Sequence, residues 1–481
     1  MQKYTLTTQV VGGRGIVSPT TGEFYPGTVV PVDATPESGW RIAQWSGTTD
    51  DASKARANFV VMGPDRLVTV EFEQPRTIFV GSDPNYTTIQ HAIDAAEEGD
   101  VVVIPSGTYQ PAAWNVYPRN YIRLHGKNIT LTGTNPDDPN VVASTFLHLY
   151  RFEIQDVGPE TVIEGLTIGD VNWVGANGDN GADIGLDPDG QHDGFPGSSL
   201  AGGAMTIYNG SPTIRNCIFR DCSITGGDGG DGSNGHDGHS VGYDGGYAGY
   251  AYGGAVYCGY RSSPTFENCT FTNCRAIGGN GGNGGTGANG AQGGRGGNLM
   301  FSEAIEQTIR LWWDGWEWGP FDAEGNPRET FGTSLGQSTR GYFDDYWKYS
   351  GYGGAVYCEY YSSPRFIDCN FTDNQTFGGF SGLGGNNFPI PQENPVKIEN
   401  FGGAVYVGRG SNPEFMGCVF RGNSADSTPG ANPDDIYVSY GGSVAFEEEC
   451  SPVFIECTIA DSNAAIGGGM WWSQSSPTIV D

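Results

Sequence analysis

An internal repeat of about 22 residues restricts the fold of this 481-residue chain more than any other feature. Each copy opens on a Gly pair, runs through a short apolar stretch to Ser-Pro or Asn-Pro, and ends on a Cys-x-Phe or Cys-x-Ile step. Five copies begin at residues 202, 253, 353, 402 and 441, and a sixth, GGMWWSQSSPTIVD, ends at Asp481. A unit this short cannot bury an apolar face alone, so the copies must stack on one another.

Two columns of residues recur once in each copy. Cysteines form one column: Cys217, Cys269, Cys369, Cys418 and Cys457. Large apolar residues form the other: Phe219, Phe271, Phe371, Phe420 and Ile459. Residues that recur once per coil line up along a parallel stack at the ~4.8 Å strand spacing. The repeat therefore predicts an all-β solenoid, a parallel β-helix, with these two columns as ladders inside it.

The ten cysteines allow two interpretations. Stacked in the interior, they behave as small apolar thiols. Neighbouring coils also bring Cα atoms within bridging distance, although parallel Cβ directions make poor disulfide geometry. The spacing favours buried thiols. If bridges form, Cys222 with Cys274 and Cys258 with Cys358 are the best candidates.

Extra chain separates most copies. Successive column cysteines are 52, 100, 49 and 39 residues apart, although the copies themselves hardly change in length. The inserts cover about 170–200, 225–251, 277–351, 377–400 and 425–439, always between one copy's end and the next Gly pair. Loops that enter a solenoid at one phase emerge on one side. We therefore expect one plain side and one flank that carries every insert.

The segment before the repeats divides in two. Residues 1–75 hold short alternating runs between Gly, Pro and Asp turns, and the pattern YPGTVVPVDATPESGWRIAQWSG resembles the divergent internalin B-type repeat, a bacterial surface module. At 77–110, an amphipathic helix and the run VVVIP resemble the N-terminal cap of right-handed parallel β-helices of the pectin-lyase-like class. These resemblances imply a small β module followed by a right-handed β-helix over 77–481.

The copies also resemble the repeats of chlamydial polymorphic outer membrane proteins, which pair a GGA motif with FxxN. The second half is kept at Phe371–Asn374 and Phe420–Asn423, whereas Cys222, Cys274 and Ser462 replace Asn elsewhere. This resemblance implies an exported adhesive or surface-structural protein. On this interpretation the chain is part of a longer exported protein whose signal lies outside it.

An acidic insert is the best candidate for a metal site. The segment NGDNGADIGLDPDGQHD carries carboxylates at Asp183, Asp187, Asp189 and Asp193, with alternate spacing and a Gly that lets oxygens converge on a hard cation. It lacks the terminal Glu of an EF-hand loop. We expect Ca²⁺ there, and the alternative is a solvated acidic loop.

Two further inserts suggest surfaces. Between 301 and 349 the sequence is rich in aromatic residues, and Trp312, Trp313, Trp316 and Trp318 are the candidates for binding a sugar or a protein. The alternative is that these rings form the insert's own core. The stretches GGDGGDG and GGNGGNGGTG repeat Gly at a period near three, which suits either a floppy linker or closely packed polyproline-II-like chains.

The net charge limits the classes of partner that this chain can bind. With 24 basic and 55 acidic residues the net charge is −31, which excludes nucleic acid as a partner, and no transmembrane segment is present. We expect an extracellular or cell-surface protein, without catalytic residues, that binds other surface proteins, copies of itself or polysaccharide. The alternatives are a polysaccharide lyase or glycoside hydrolase, and a carbohydrate-binding module. The GHG and RxK signatures of the hydrolases are absent.

Overall fold

The structure is a computed structural model that describes residues 2–37, 39–111, 121–181, 192–235, 241–287, 347–380, 397–426 and 436–481. The chain divides into two compact units, one formed by residues 1–104 with 127–131 and the other by 105–126 with 132–481. Strand Thr130–Gly133 falls across the division in the sequence. No helix among these described ranges is long and apolar enough to cross a membrane.

The first unit begins with two small sheets. One contains Thr21–Phe24, Tyr4–Val11, Arg66–Glu73 and Arg41–Ser46, and the other contains Gly15–Ser18, Val29–Pro36 and Ala57–Val61. Strand Val29–Pro36 shows why these runs fold as strands, since its residues alternate between exposed and buried along its whole length. Trp45 is completely buried in the core, and its Nε1 donates to the Ala55 carbonyl at 3.0 Å.

The cap follows in the same unit. Strand Thr77–Phe79 pairs in parallel with Val101–Ile104, and between them lie a 3₁₀ turn, Pro84–Tyr86, and the helix Ile89–Ala95. Thr88 caps the helix, because its side chain accepts from the His91 N–H. The helix buries Ile89, Ala92 and Ile93 on one face, as expected of the predicted amphipathic helix.

Three long parallel sheets run through the coils of the second unit. The first sheet contains Tyr121–His125, Arg151–Gln155, Met205–Tyr208, Val256–Cys258, Val356–Cys358, Val405–Val407, Val444–Phe446 and Met470–Trp472. The second contains, within this unit, Val162–Glu164, Thr213–Arg215, Thr265–Glu267, Arg365–Ile367, Glu414–Met416, Val453–Ile455 and Thr478–Val480. The parallel β-helix predicted from the repeat is thereby confirmed.

The third sheet closes each coil. It contains Gly107–Tyr109, Thr145–His148, Thr167–Val174, Ile218–Thr225, Thr270–Thr272, Asn370–Thr372, Val419–Arg421 and Thr458–Ala460. After a turn it continues through Arg275–Ile277, Gln375–Phe377 and Ser424–Asp426. A short helix, Pro139–Ser144, directly precedes the strand Thr145–His148.

Both predicted ladders lie inside the coils. The rings of Phe219, Phe271, Phe371 and Phe420 stack with centroids 4.8, 4.9 and 4.6 Å apart, and Ile459 pairs with Phe420. A second stack, Phe266, Phe366, Phe415 and Phe454, runs beside it. The Asn370 N–H donates to the Cys269 carbonyl at 2.8 Å, so the coils of Cys269 and Cys369 are consecutive despite 100 intervening residues.

All ten cysteines are free thiols, and nine of them are buried. Each column thiol donates to a carbonyl of the preceding coil, as Cys269 does to Ile214 at 3.5 Å and Cys369 to Phe266 at 3.5 Å. Burial raises the pKa of Cys217 to about 12. The thiol interpretation of the cysteine column is confirmed.

Candidate functional site

The inserts leave and re-enter the coils at one phase. The strand ends at Val174, Thr225, Ile277, Phe377 and Asp426 are register partners from coil to coil. The returning chain forms a fourth sheet of five parallel strands, Leu200–Ala201, Ala251–Tyr252, Trp347–Tyr352, Lys397–Phe401 and Ile436–Tyr440. The inserts therefore spring from one flank, as the sequence predicts.

Glycine-rich chain packs into an ordered layer at this flank, which we call the glycine bundle. It consists of the outgoing segments 175–181, 226–235 and 278–287 and the returning segments 193–199 and 243–250. Neighbouring outgoing segments are joined by backbone hydrogen bonds, for example from Gly178 N–H to the Asp228 carbonyl and from Gly229 N–H to the Asn280 carbonyl, both at 2.7 Å. Of the two alternatives, the structure supports closely packed chains.

Hydrogen bonds also join the outgoing segments to the returning ones. Gly230 N–H donates to the Phe195 carbonyl at 2.9 Å, Gly246 N–H to Gly230 at 2.7 Å, and Gly282 N–H to Gly246 at 2.9 Å. Successive residues of one segment thus bond to different neighbours, as in a bundle rather than a sheet.

Only glycine fits at the contact positions. A Cβ on Gly230 would lie 2.0 Å from the Asp179 carbonyl oxygen, and one on Gly282 would lie 1.9 Å from the Gly230 oxygen. Any side chain would force the backbones apart, the same reason that collagen requires Gly at its crowded axis. The period of three in the sequence is the period of these contacts.

Asn and Asp side chains accept hydrogen bonds from backbone N–H groups that do not bond to a backbone carbonyl. Asn177 Oδ1 accepts from the Asp228 N–H at 2.9 Å, Asp228 Oδ1 from the Asn280 N–H at 2.8 Å, and Asn280 Oδ1 from the Phe380 N–H at 3.0 Å. A parallel ladder joins Asn180, Asp231 and Asn283. The acidic residues of GGDGGD are therefore structural acceptors whose side chains also line the exposed face.

The predicted site residues fall at or beyond the ends of the bundle. Asp193 is exposed, and its Oδ1 accepts from the Asp244 N–H at 2.8 Å. Asp183, Asp187 and Asp189 lie outside the described residues, as do Trp312, Trp313, Trp316 and Trp318. Within the described part of the chain, no three His, Cys, Asp or Glu side chains are grouped to hold a metal ion.

A groove of about 260 Å³ opens at the turn inside the third sheet, just before the inserts depart. It is lined by Asp170, Val171, Asn172, Asp221, Ser223, Asn273 and Arg275. Three of these residues, Asp170, Asp221 and Asn273, take the left-handed conformation that makes the turn, with φ of 54°, 51° and 52°. Asn and Asp tolerate this region better than other residues with a side chain.

Hydrogen bonds hold the polar groups of the groove. Arg275 Nη2 donates to Asn273 Oδ1 at 3.1 Å, and Asn273 Nδ2 donates to Asp221 Oδ1 at 2.5 Å. Asp170 Oδ2 lies 3.5 Å from His148 Nε2. Asp170 and Asp221 are both exposed. The groove is suited to recognising hydroxyl or amide groups.

Aromatic rings fasten the fourth sheet to the first. Tyr257, Tyr357 and Tyr406 stack with centroids 5.4 and 5.2 Å apart on the outside of the first sheet. They pack against an aromatic residue from four of the five returning strands, namely Tyr252, Tyr352, Phe401 and Tyr440. Sequence reasoning missed this second core, although an aromatic residue precedes each of these Gly pairs in the sequence.

Carboxylates meet the edge of the aromatic cluster. The Tyr440 hydroxyl donates to Glu399 Oε1 at 2.6 Å, and the Tyr260 N–H donates to Glu359 Oε2 at 2.7 Å. Burial raises the pKa of the Glu359 carboxyl and that of the Tyr357 hydroxyl. The cluster is thus a packed element in which few ring faces remain for a ligand.

The fold and the flank define the class: a parallel β-helix that carries a small β module. Residues 4–76 match the family model for the divergent InlB B-repeat domain. No curated protein matches the chain. The solved structures that resemble it include the family 28 exopolygalacturonase of Yersinia enterocolitica, with 12% identity over 96% of this chain and 85% of that chain and a TM-score of 0.17.

A second similar structure is the catalytic unit of the thermostable GH87 alpha-1,3-glucanase from Streptomyces thermodiastaticus strain HF3-3. It has 14% identity over 89% of this chain and 74% of that chain, with a TM-score of 0.15. The assignment of the parallel β-helix rests on the strand registers described above, which follow one another from coil to coil.

Proposed function

We propose that this chain is an exported, non-catalytic adhesive protein of the cell surface or extracellular matrix. Its insert flank binds other surface proteins, copies of itself or polysaccharide. The observation that carries this proposal is the glycine bundle, whose segments are tied to one another by backbone hydrogen bonds on several sides. The match of residues 4–76 to a divergent InlB B-repeat domain supports a surface location.

The bundle matters because loops on a flexible tether lose conformational entropy when they bind. Fixing the backbone of one residue costs roughly 1–2 kcal/mol. A surface that is already ordered in the folded protein does not lose this entropy again when it binds a ligand. Here the chain on either side of the acidic insert enters and leaves through bonded segments, 175–181 and 193–199. The arrangement suits presentation of loops for recognition.

The experiment compares binding by the wild-type chain and a bundle variant. Gly230→Ala introduces a Cβ 2.0 Å from the Asp179 carbonyl oxygen and should separate the segments without touching the coil interior. Gly107→Ala is the matched control, because its Cβ would meet only Tyr109 Cε2 at an ordinary 3.7 Å. Ligands are a glycan array, immobilised wild-type chain and a surface-protein extract resolved on a blot.

We expect the wild-type chain and Gly107→Ala to bind the same ligand, and Gly230→Ala to bind it at least tenfold more weakly with an unchanged far-UV spectrum. Equal binding by Gly230→Ala would contradict a role for the flank. Release of reducing or unsaturated ends from pectin or alginate would overturn the non-catalytic assignment and favour the enzyme alternative.

A further inference from the structure

A pair of tyrosines stands exposed on a corner of the β-helix that carries no insert. Tyr260 and Tyr361 belong to the turn between the first and second sheets, whereas every insert enters between the third and the first. Tyr260 is 36% exposed and Tyr361 is 54% exposed, unlike the buried tyrosines of the aromatic cluster. Their coils are consecutive, since Cys258 and Cys358 are register partners.

The backbone at this turn is strained, because residues with large side chains adopt the left-handed conformation there. Arg261 and Tyr361 occupy equivalent positions, and both take the left-handed conformation with φ of 59°. In the next coil this position is Gly410, which adopts φ of 73° without a steric penalty. Unlike Asn or Asp, neither Arg nor Tyr gains a local hydrogen bond that offsets the conformation. Strain of this kind concentrates at functional sites.

Contacts hold the rings in place. A Cβ built on Gly410 would lie 2.8 Å from Tyr361 Cε1, so the tyrosine ring rests directly on the glycine backbone. The Tyr260 ring meets Tyr361 edge-on, with centroids 6.2 Å apart and an interplanar angle of 81°. The Arg261 guanidinium lies over the Tyr260 ring, 4.9 Å from its centroid. The two rings and the guanidinium form one ordered surface, which we call the tyrosine platform.

We propose that the tyrosine platform binds a pyranose ring of a neutral polysaccharide, by stacking on Tyr361 and hydrogen bonding from Arg261. An amphipathic ring presents a large, rigid apolar face at little entropic cost. The guanidinium supplies several N–H donors in a fixed plane for sugar hydroxyls.

The net charge of the chain and the small area of the platform favour a neutral polysaccharide as the ligand. A net charge of −31 disfavours a polyanionic chain. A stable protein partner covers about 800 Å² on each side, far more than two half-exposed rings and one guanidinium offer. The site is separate from the insert flank, and its failure would leave the function proposed for that flank untouched.

The test measures retardation of the chain in native gels that contain a soluble neutral glucan, xyloglucan or galactomannan, with alginate as the anionic comparison. We expect at least one neutral polymer to retard the wild-type chain. Tyr361→Ala should weaken that binding five- to tenfold, and Tyr361→Phe should retain it. The matched control is Tyr25→Ala, which removes an equally exposed tyrosine (49%) from the N-terminal module.

Tyr361→Gly separates binding from folding, because glycine adopts the left-handed conformation freely. It should keep the wild-type spectrum and lose the retardation. No retardation by any neutral polymer, retardation by alginate alone, or equal retardation of wild type and Tyr361→Gly would each overturn the proposal.

Discussion

Asp100 is a fully buried carboxylate at the start of the cap's second strand. Its Oδ1 lies 2.7 Å from Arg41 Nη1, its Oδ2 lies 2.7 Å from Arg76 Nη2, and it accepts the backbone N–H of Glu97 at 3.0 Å. Burial raises the pKa of Asp100, but these N–H groups and guanidiniums lower it more, so the pKa lies below its ordinary value. Within the first unit, one side chain thus joins the β module to the cap.

Asp100→Asn should destabilise the first unit by ~3 kcal/mol at pH 7, because it leaves two guanidiniums without their buried partner. A depressed folded-state pKa stabilises the fold above the unfolded pKa of ~3.9, and this contribution is lost as the pH falls through the folded value. The free energy of unfolding in urea should therefore differ most between wild type and variant at pH 7. This difference should shrink below pH 4. The exposed substitution Asp94→Asn is the control, and an equal effect of both changes would contradict the assigned role.

Burial of nine of the ten thiols predicts that the native chain reacts slowly with thiol reagents. With the pKa of Cys217 near 12, almost no thiolate exists at pH 8, and the thiolate is the reactive species. We expect fewer than one equivalent of Ellman's reagent to react with the native chain, and all ten thiols to react after unfolding in guanidinium. A deficit of two or four thiols in the unfolded, unreduced chain would instead indicate bridges.

Among the elements, the aromatic cluster has the clearest energetic consequence. Tyr357 is 8% exposed and is stacked between Tyr257 and Tyr406, so its ring bridges the two sheets that hold the roots of the inserts. Tyr357→Ala should cost ~3–5 kcal/mol through lost burial and the cavity left behind. Tyr357→Phe keeps the ring and should cost far less.

Limited proteolysis combined with thermal unfolding distinguishes the two Tyr357 variants. Cleavage of Tyr357→Ala should begin within the inserts, because their returning strands lose a packing surface. Equal protease resistance of both variants, or first cleavage in the coil strands, would show that the cluster does not hold the insert roots.

The sequence predicts the coil because its signal is dense: Cys and Phe recur two residues apart in four consecutive copies. The insert phase follows from the same alignment. The repeat does not reveal the turn inside the third sheet, where Asp170, Asp221 and Asn273 occupy equivalent positions. Polar residues on the outside of a coil resemble ordinary surface residues in the sequence. The groove could be found only once the coils were superimposed in space.

Two other features depend on lateral packing that a linear pattern does not specify. The period of three predicts that glycines permit close approach, but not that Gly230 donates to Phe195 while Gly246 donates to Gly230. The fourth sheet was missed since its strands are brief, two residues in Leu200–Ala201 and Ala251–Tyr252, and follow inserts of unequal length. Neighbours along the stack, not neighbours in the sequence, determine both.

At the scale of the whole molecule, the net charge of −31 and the glycine bundle act together. Asp228 and Asp231 lie side by side in neighbouring ladders, and each accepts the N–H of the next segment with one carboxylate oxygen. Such an acidic chain repels itself, so cations that bind the folded flank should stabilise it.

Calcium should raise the melting temperature of this chain through the loop that begins at Asp183 and ends at Asp193. Asp193 accepts the Asp244 N–H, so a cation held by Asp187, Asp189 and Asp193 would tie this segment to the bundle. At 100 times its Kd a ligand specific for the folded state contributes ~2.7 kcal/mol. Thermal unfolding in calcium, in equimolar magnesium and in EDTA should give the highest midpoint in calcium, and Asp187→Asn with Asp189→Asn should abolish the difference. Asp94→Asn, which removes one carboxylate outside the loop, is the control. If it removes the calcium response equally, or if calcium and EDTA give one midpoint, the acidic loop binds no calcium and serves only as a solvated link between bundle segments.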